Sequence, residues 1–202
     1  MIDVASPLDL QLASTSPRRR DLLTAAGLRF TLCEPGPEYV GDGDEHASVV
    51  GDPRAHAIAR ATRKGEGAVA VDHSAPILAV DTVVDLDGRE LGKPRDAADA
   101  AAMLTALAGR AHRVHTAHFL RHDPSGFRGM RVASSEVVCG LPNAAALRRY
   151  LDSGQWRGKA GGYGVQDDAQ AFFRVLSGRF DTVVGLSVEA VQELLADLRG
   201  AR

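Results

Sequence analysis

The chain has 202 residues, and its 26 acidic and 24 basic side chains leave a formal net charge of −2. That near balance excludes a global basic field that would draw the chain to nucleic acid or an anionic membrane, so any phosphate-binding power must be local. At 45% hydrophobic, the chain can bury a core without disulfides or a structural metal, as one domain or as two lobes sharing a core.

Residues 10–13 read as a short buried strand, broken by Ser14-Thr15-Ser16-Pro17. Ser16 before Pro17 is a helix-start signal, serine as cap and proline in the first turn, and Gly27 is a natural stop. A second strand follows at 29–33. Residues 34–51, rich in Gly, Pro, Asp and Glu, read as a long loop of the kind that is often functional. A helix is predicted over 53–64, with Ala55, Ile58, Ala59 and Thr62 as its inner stripe. Residues 76–86 form a strongly apolar strand that Asp81 and Thr82 interrupt. Asp87-Gly88 then signals a hairpin turn, with a return strand over 89–92. A helix over 96–107 stops at Gly109. Two long paired strands, 113–121 and 130–139, are joined through Asp123-Pro124-Ser125-Gly126. A helix spans 142–153. Residues 158–164 hold four glycines and must form a special loop. Late strands are predicted over 171–176 and 182–184, and an amphipathic helix over 187–198 closes the chain. Strands and helices intermingle, so the class is α/β (α+β) with a mixed sheet.

Cys33 and Cys139 sit beside apolar residues with no redox or metal spacing, and read as buried thiols in a reducing compartment. The first residues lack a basic start and an apolar stretch, and no apolar run approaches the ~20 residues of a membrane helix. The expectation is a cytoplasmic protein with residues 1–9 as an N-terminal extension and 10–202 as the domain.

Four places can carry chemistry. In Ser14-Thr15-Ser16-Pro17-Arg18-Arg19-Arg20 a strand feeds a hydroxyl-rich turn that opens a helix. The free N–H groups of a helix start favour an anion, and three arginines there are disfavoured by the dipole unless an acidic ligand joins them. Asp81, inside an apolar strand, suits a hard cation or the orientation of water; otherwise it faces solvent. Lys93 in Gly92-Lys93-Pro94 can meet a phosphate as a point charge. In Lys159-Ala160-Gly161-Gly162-Tyr163-Gly164-Val165-Gln166, glycines allow close backbone approach, and Gln166 offers both a donor and an acceptor to a base edge. The seven histidines show no ligand spacing, and neither a Walker loop nor a dinucleotide fingerprint is present.

Taken in order, Leu12 to Leu23 with its Ser-Pro-Arg core, Val80-Asp81-Thr82-Val83-Val84, Leu91-Gly92-Lys93-Pro94, the glycine loop up to Gln166 and Val184-Gly185-Leu186 resemble the Maf (septum-formation-inhibitor-like) family. The resemblance runs from about Leu10 to the C-terminus. It implies a mixed β-sheet with flanking helices in two lobes around a central cleft, similar to ITPase-like folds. It implies a hydrolase dependent on a divalent cation, Mg²⁺ or Mn²⁺, that splits a nucleoside triphosphate into monophosphate and pyrophosphate. It further implies a homodimer, and the charge balance above leaves no nucleic acid or membrane partner expected. Arg18, Thr82 and Gln166 match the branch acting on dTTP and UTP; the branch acting on 7-methyl-GTP has tryptophan, glutamine and glutamate at those places. Carried over residue by residue, Asp81 is the general base and a metal ligand, with Glu38 as a second acidic ligand. Arg18, Thr82 and Gln166 are specificity positions, and Ser14, Arg19, Lys93 and Lys159 are phosphate or pocket contacts.

The chain departs from the family pattern in places. Ala79 replaces a glycine, Thr62 stands at an expected lysine for which Arg60, Arg63 or Lys64 can substitute, and Asp167, followed by Asp168, stands at a glycine. A lost lysine and added acids weaken binding of a polyanion. They motivate the alternative of a weakly active or inactive nucleotide-binding regulator linked to cell division. A hydrolase of other phosphate esters is the third reading.

Overall fold

The computed structural model describes residues 10–38 and 51–201. The expected N-terminal extension and most of the long loop lie outside the described residues. In chain order the elements are β1 (Leu10–Ala13), α1 (Pro17–Ala25), β2 (Phe30–Cys33), α2 (Pro53–Glu66), β3 (Ile77–Leu86) and β4 (Arg89–Leu91). They continue with α3 (Ala97–Leu107), β5 (Ala111–His122), β6 (Phe127–Cys139), α4 (Ala144–Ser153), β7 (Phe173–Ser177), α5 (Phe180–Val184) and α6 (Val188–Gly200).

Local chemistry explains most boundaries. Asp52, Asp96, Asn143 and Ser187 cap α2, α3, α4 and α6, each side chain accepting from the backbone N–H three residues on. Ser16 occupies the cap position of α1 but makes no side-chain capping bond; its own N–H donates to Ser14 Oγ. The β3–β4 turn places Asp87 and Gly88 at φ of 54° and 81°, both left-handed, as a primed hairpin turn requires.

Two expectations are corrected. Residues 182–184, with their β-branched run, are helical within α5 and not a strand. Asp181 decides this locally: its carboxylate accepts from the backbone N–H of Thr182 and of Val188, and its carbonyl accepts from Gly185 and Leu186. The inner stripe of α2 is also different: its buried residues are Pro53, Ala57, Arg60, Ala61, Lys64 and Gly65, while Ala55 is exposed. Apolar periodicity missed this face because two of its members are cations that find buried carboxylates.

The strands form one mixed sheet in the order β2-β1-β3-β5-β6-β7, with β4 also on β3. β1 runs parallel to β2 and β3, and α1 and α2 are the crossovers this demands. β5 pairs antiparallel with β3 along its length, from Ile77 to Asp85. The opposite edge of β3 is shared: β1 pairs with Ile77, Leu78 and Ala79, and β4 with Val84, Asp85 and Leu86. Among the described residues no strand lies beside that edge between 80 and 83, so the sheet opens at Asp81 and Thr82.

The alternation of β3 feeds separate cores. Leu78 and Val80 pack with α1 and α6 through Leu23, Val191, Leu194 and Leu198, while Val83 packs under α2 with Ala57, Ala61 and Phe119. A further core under α3 and α4 gathers Val84, Leu91, Leu104, Tyr150, Trp156 and Phe173. The cleft lies between this last core and the others. Gly65 lets α2 approach the sheet, since a Cβ there would stand 2.2 Å from the Phe119 ring. Gly65→Ala is therefore expected to destabilise the fold by about 1–3 kcal/mol through overpacking, read as a lower urea midpoint at unchanged slope.

Candidate active site

The opening in the sheet is the floor of a cleft of about 570 Å³. Adjacent residues of a strand point to opposite faces, so Asp81 turns toward α2 and Thr82 toward α1 and α5. Both reach the cleft because no strand walls off the edge between them.

On the α2 side Asp81 is 3% exposed. Lys64 Nζ donates to Asp81 Oδ1 at 2.7 Å and lies 2.9 Å from Glu38 Oε2, so one ammonium bridges two carboxylates that are far apart in sequence. Asp81 Oδ2 is buried and has no hydrogen-bond partner. Burial raises the Asp81 carboxyl above the ordinary aspartate range, and the Lys64 ammonium only partly opposes this. For Glu38 the balance falls the other way. Burial pushes its carboxyl up, but Lys64, with help from Lys93 and Arg60, brings it down to about 2.

On the α1 side, Ser14 Oγ accepts from Arg19 Nη1 at 3.1 Å, Arg19 Nε donates to the Gly185 carbonyl at 2.9 Å, and Arg19 Nη2 donates to Thr82 Oγ1 at 3.3 Å. Thr82 Oγ1 lies 3.1 Å from Thr116 Oγ1, which itself donates to the Thr182 carbonyl. Arg19 thus fastens the start of α1 to β3 and to the loop after α5, and its guanidinium is fixed before any ligand arrives. Burial lowers the pKa of Arg18 and Arg19 from the usual guanidinium value, with Asp81 opposing the shift at Arg19.

The glycine loop supplies the third wall. Gly161 N–H donates to the Gly92 carbonyl at 2.9 Å, and Gly161 and Gly162 hold φ of 68° and 72°. This bond ties the loop to the β3–β4 hairpin and brings Lys93 and Lys159 to one cleft. Tyr163 lines the cleft and stacks on Phe173 with ring centroids 3.8 Å apart, its hydroxyl 2.6 Å from His112 Nε2.

Ser14, Arg18, Arg19, Glu38, Asp81, Thr82, Lys93, Lys159 and Gln166 all line this cleft. Sequence reasoning offers Lys64 only as one of three substitutes, with Arg60 and Arg63, for the lysine expected at Thr62, and gives it no place in the site. The threonine placed at the expected lysine was misassigned: Thr62 Oγ1 donates back to the Ile58 carbonyl, and Lys64 reaches the carboxylates. The available signal was the four-residue spacing of Arg60 and Lys64 on the face of Ala57 and Ala61. The two extra acids also separate. Asp167 pairs with Lys159, whereas Asp168 accepts from Gln155 at 2.9 Å away from the cleft lining.

A family model described as Maf-like protein matches residues 9–198, spanning every wall of this cleft from β1 to α6. The chain belongs to the Maf family. Its Maf relatives include a Bordetella avium protein, 39% identical over 92% of this chain and 93% of its own length. A Bordetella pertussis protein is 40% identical over 95% and 93%, and a Salmonella typhimurium protein 37% identical over 96% and 94%. All three are named dTTP/UTP pyrophosphatase. In this Maf protein no described helix is long and apolar enough to cross a membrane.

Proposed function

We propose that this protein hydrolyses dTTP, UTP or closely related nucleoside triphosphates at the α–β bond, releasing the monophosphate and pyrophosphate. The observation that carries this reading is the convergence of Asp81, Glu38 and Lys64 with Arg18, Lys93 and Lys159 on one cleft. The names of the relatives supply the substrate.

Asp81 is the general base. Its Oδ1 is anchored by Lys64, and its unpartnered Oδ2 takes a proton from the attacking water. The water oxygen bonds to the α-phosphorus, the bridging P–O bond breaks, and pyrophosphate leaves with the bridging oxygen. Lys93, Lys159 and the N–H groups at the start of α1 neutralise charge on the phosphates. Lys159 must exchange Asp167 for a phosphate oxygen to take part. A divalent cation fits the donor chemistry: Asp81 Oδ2 is an orphaned buried oxygen, Asp81 and Glu38 share the Lys64 ammonium, and two carboxylates completed by phosphate oxygens and water are a usual donor set of Mg²⁺. Asp81 and Glu38 would hold it, and it would polarise the phosphoryl oxygens. Arg18, Thr82 and Gln166 are proposed to select the base, and pairing into a homodimer belongs to the same proposal.

The test is a panel of nucleoside triphosphates with Mg²⁺ or Mn²⁺, with the products identified. dTTP and UTP should give equal amounts of monophosphate and pyrophosphate. No nucleotide turned over above an Asp81→Ala control would rule the reading out. The regulator alternative loses one of its two supports, because Lys64 supplies the cation that Thr62 lacks.

A further inference from the structure

Two buried charged residues beside Asp81 have no part in the chemistry above. Arg60 lies one turn before Lys64 on the inner face of α2, and Glu90 lies in β4; they are 8% and 2% exposed. An ion pair in such a place carries a desolvation cost that a pair of apolar side chains avoids.

The geometry shows what the pair does to Asp81. Lys64 donates directly to Oδ1. Arg60 makes no such bond. Its fork is taken up by Glu90, with Nη1 on one carboxylate oxygen and Nη2 on the other at 3.0 Å. Arg60 Nη1 stops 3.8 Å from Asp81 Oδ2, beyond hydrogen-bond reach. Glu90 is steadied from its far side by His56 Nδ1 at 2.9 Å. A guanidinium therefore stands next to the one oxygen of Asp81 that has no donor, and does not take it. Arginine binds carboxylates readily in a forked geometry. With Glu90 gone, Asp81 is a carboxylate already within ion-pair distance of Arg60.

We propose that Glu90 is a positioning residue that holds Arg60 back from Asp81, keeping Oδ2 free of protein donors. The inference rests on Asp81 being the reacting carboxylate.

Glu90→Gln keeps the side-chain shape and weakens the hold on Arg60. Its kcat should fall roughly tenfold or more while KM stays within about twofold. A crystal structure of the variant should show Arg60 hydrogen-bonded to Asp81. The double variant Arg60→Leu/Glu90→Leu removes both members of the pair, and its kcat should return to within about threefold of the unmodified protein. Unchanged kcat in Glu90→Gln overturns the proposal. So does a double variant as impaired as the single one while circular dichroism shows both folded. If Glu90→Gln does not fold, the double variant decides alone: near-normal kcat upholds the proposal, and a loss of about tenfold overturns it. An Asp81→Asn control separates the two layers. If it turns over substrate normally, the assignment of Asp81 has failed. If it is inactive while Glu90→Gln is normal, only the role of Glu90 has.

Discussion

Replacing Asp81 by asparagine is expected to lower kcat for dTTP and UTP by roughly a thousandfold, with KM changed little and the fold intact. Asparagine has the shape of aspartate and keeps an oxygen that can accept from Lys64 in place of Oδ1. It has no oxygen able to take a proton from water, and general-base catalysis contributes about 10²–10⁴-fold. Stability should not suffer. Burial raises the Asp81 carboxyl in the folded chain, so its contribution is complete below the unfolded value of 3.8 and is lost as pH rises through the folded one. A neutral asparagine escapes that loss, and Glu38 remains beside Lys64 as its counter-ion. Steady-state kinetics with thermal melts at neutral pH check both halves. A higher KM at unchanged kcat would make Asp81 a binding residue only.

Lys64→Met should harm stability and activity together. Lys64 is 9% exposed and bridges Asp81 and Glu38. Methionine fills the space but leaves two partly buried carboxylates facing each other, and breaking a buried pair costs roughly 3–5 kcal/mol. The Glu38 part of the pH dependence should reverse. With Lys64 present, Glu38 sits at about 2 against an ordinary 4.5, so its stabilising contribution is present above about 4.5 and disappears as pH falls toward 2. Without Lys64 both carboxyls rise, and the chain gains stability when they protonate. The variant should melt higher at mildly acid pH than at alkaline pH, whereas in the unmodified chain the Glu38 contribution favours the neutral side and opposes that of Asp81. Turnover should fall at least tenfold, since Asp81 loses its anchor. A variant whose melting temperature keeps the parent's dependence on pH would show that Lys64 does not govern these carboxylates.

Most of the scaffold was legible because local signals and packing agree. The Asp87-Gly88 turn and the apolar run of β3 both point to the elements that form. The failures cluster where function or local polar bonds override pattern. On α2 the cations Arg60 and Lys64 occupy the inner face, so apolar periodicity selected the wrong stripe. At α5 the run Thr182-Val183-Val184 looked extended, yet the bonds of Asp181 coil it. The gathering of Ser14, Asp81, Lys93 and Lys159 could be expected only through the family resemblance. No local signal shows that β1 and β4 share an edge of β3 and leave a gap at Asp81. Nor did sequence reveal that Asp167 pairs with Lys159, which turns an expected repulsion of the ligand into an ion pair within the protein.

The central claim is that one cleft holds one triphosphate, with its α-phosphate at Asp81. A crystal structure with a non-hydrolysable α,β-imido analogue of dUTP and Mn²⁺ tests it most directly. The α-phosphate should lie beside Asp81 and Glu38, the remaining phosphates along Lys93 and Lys159, and the base near Arg18, Thr82 and Gln166. A nucleotide bound with its phosphates away from Asp81 would contradict the account.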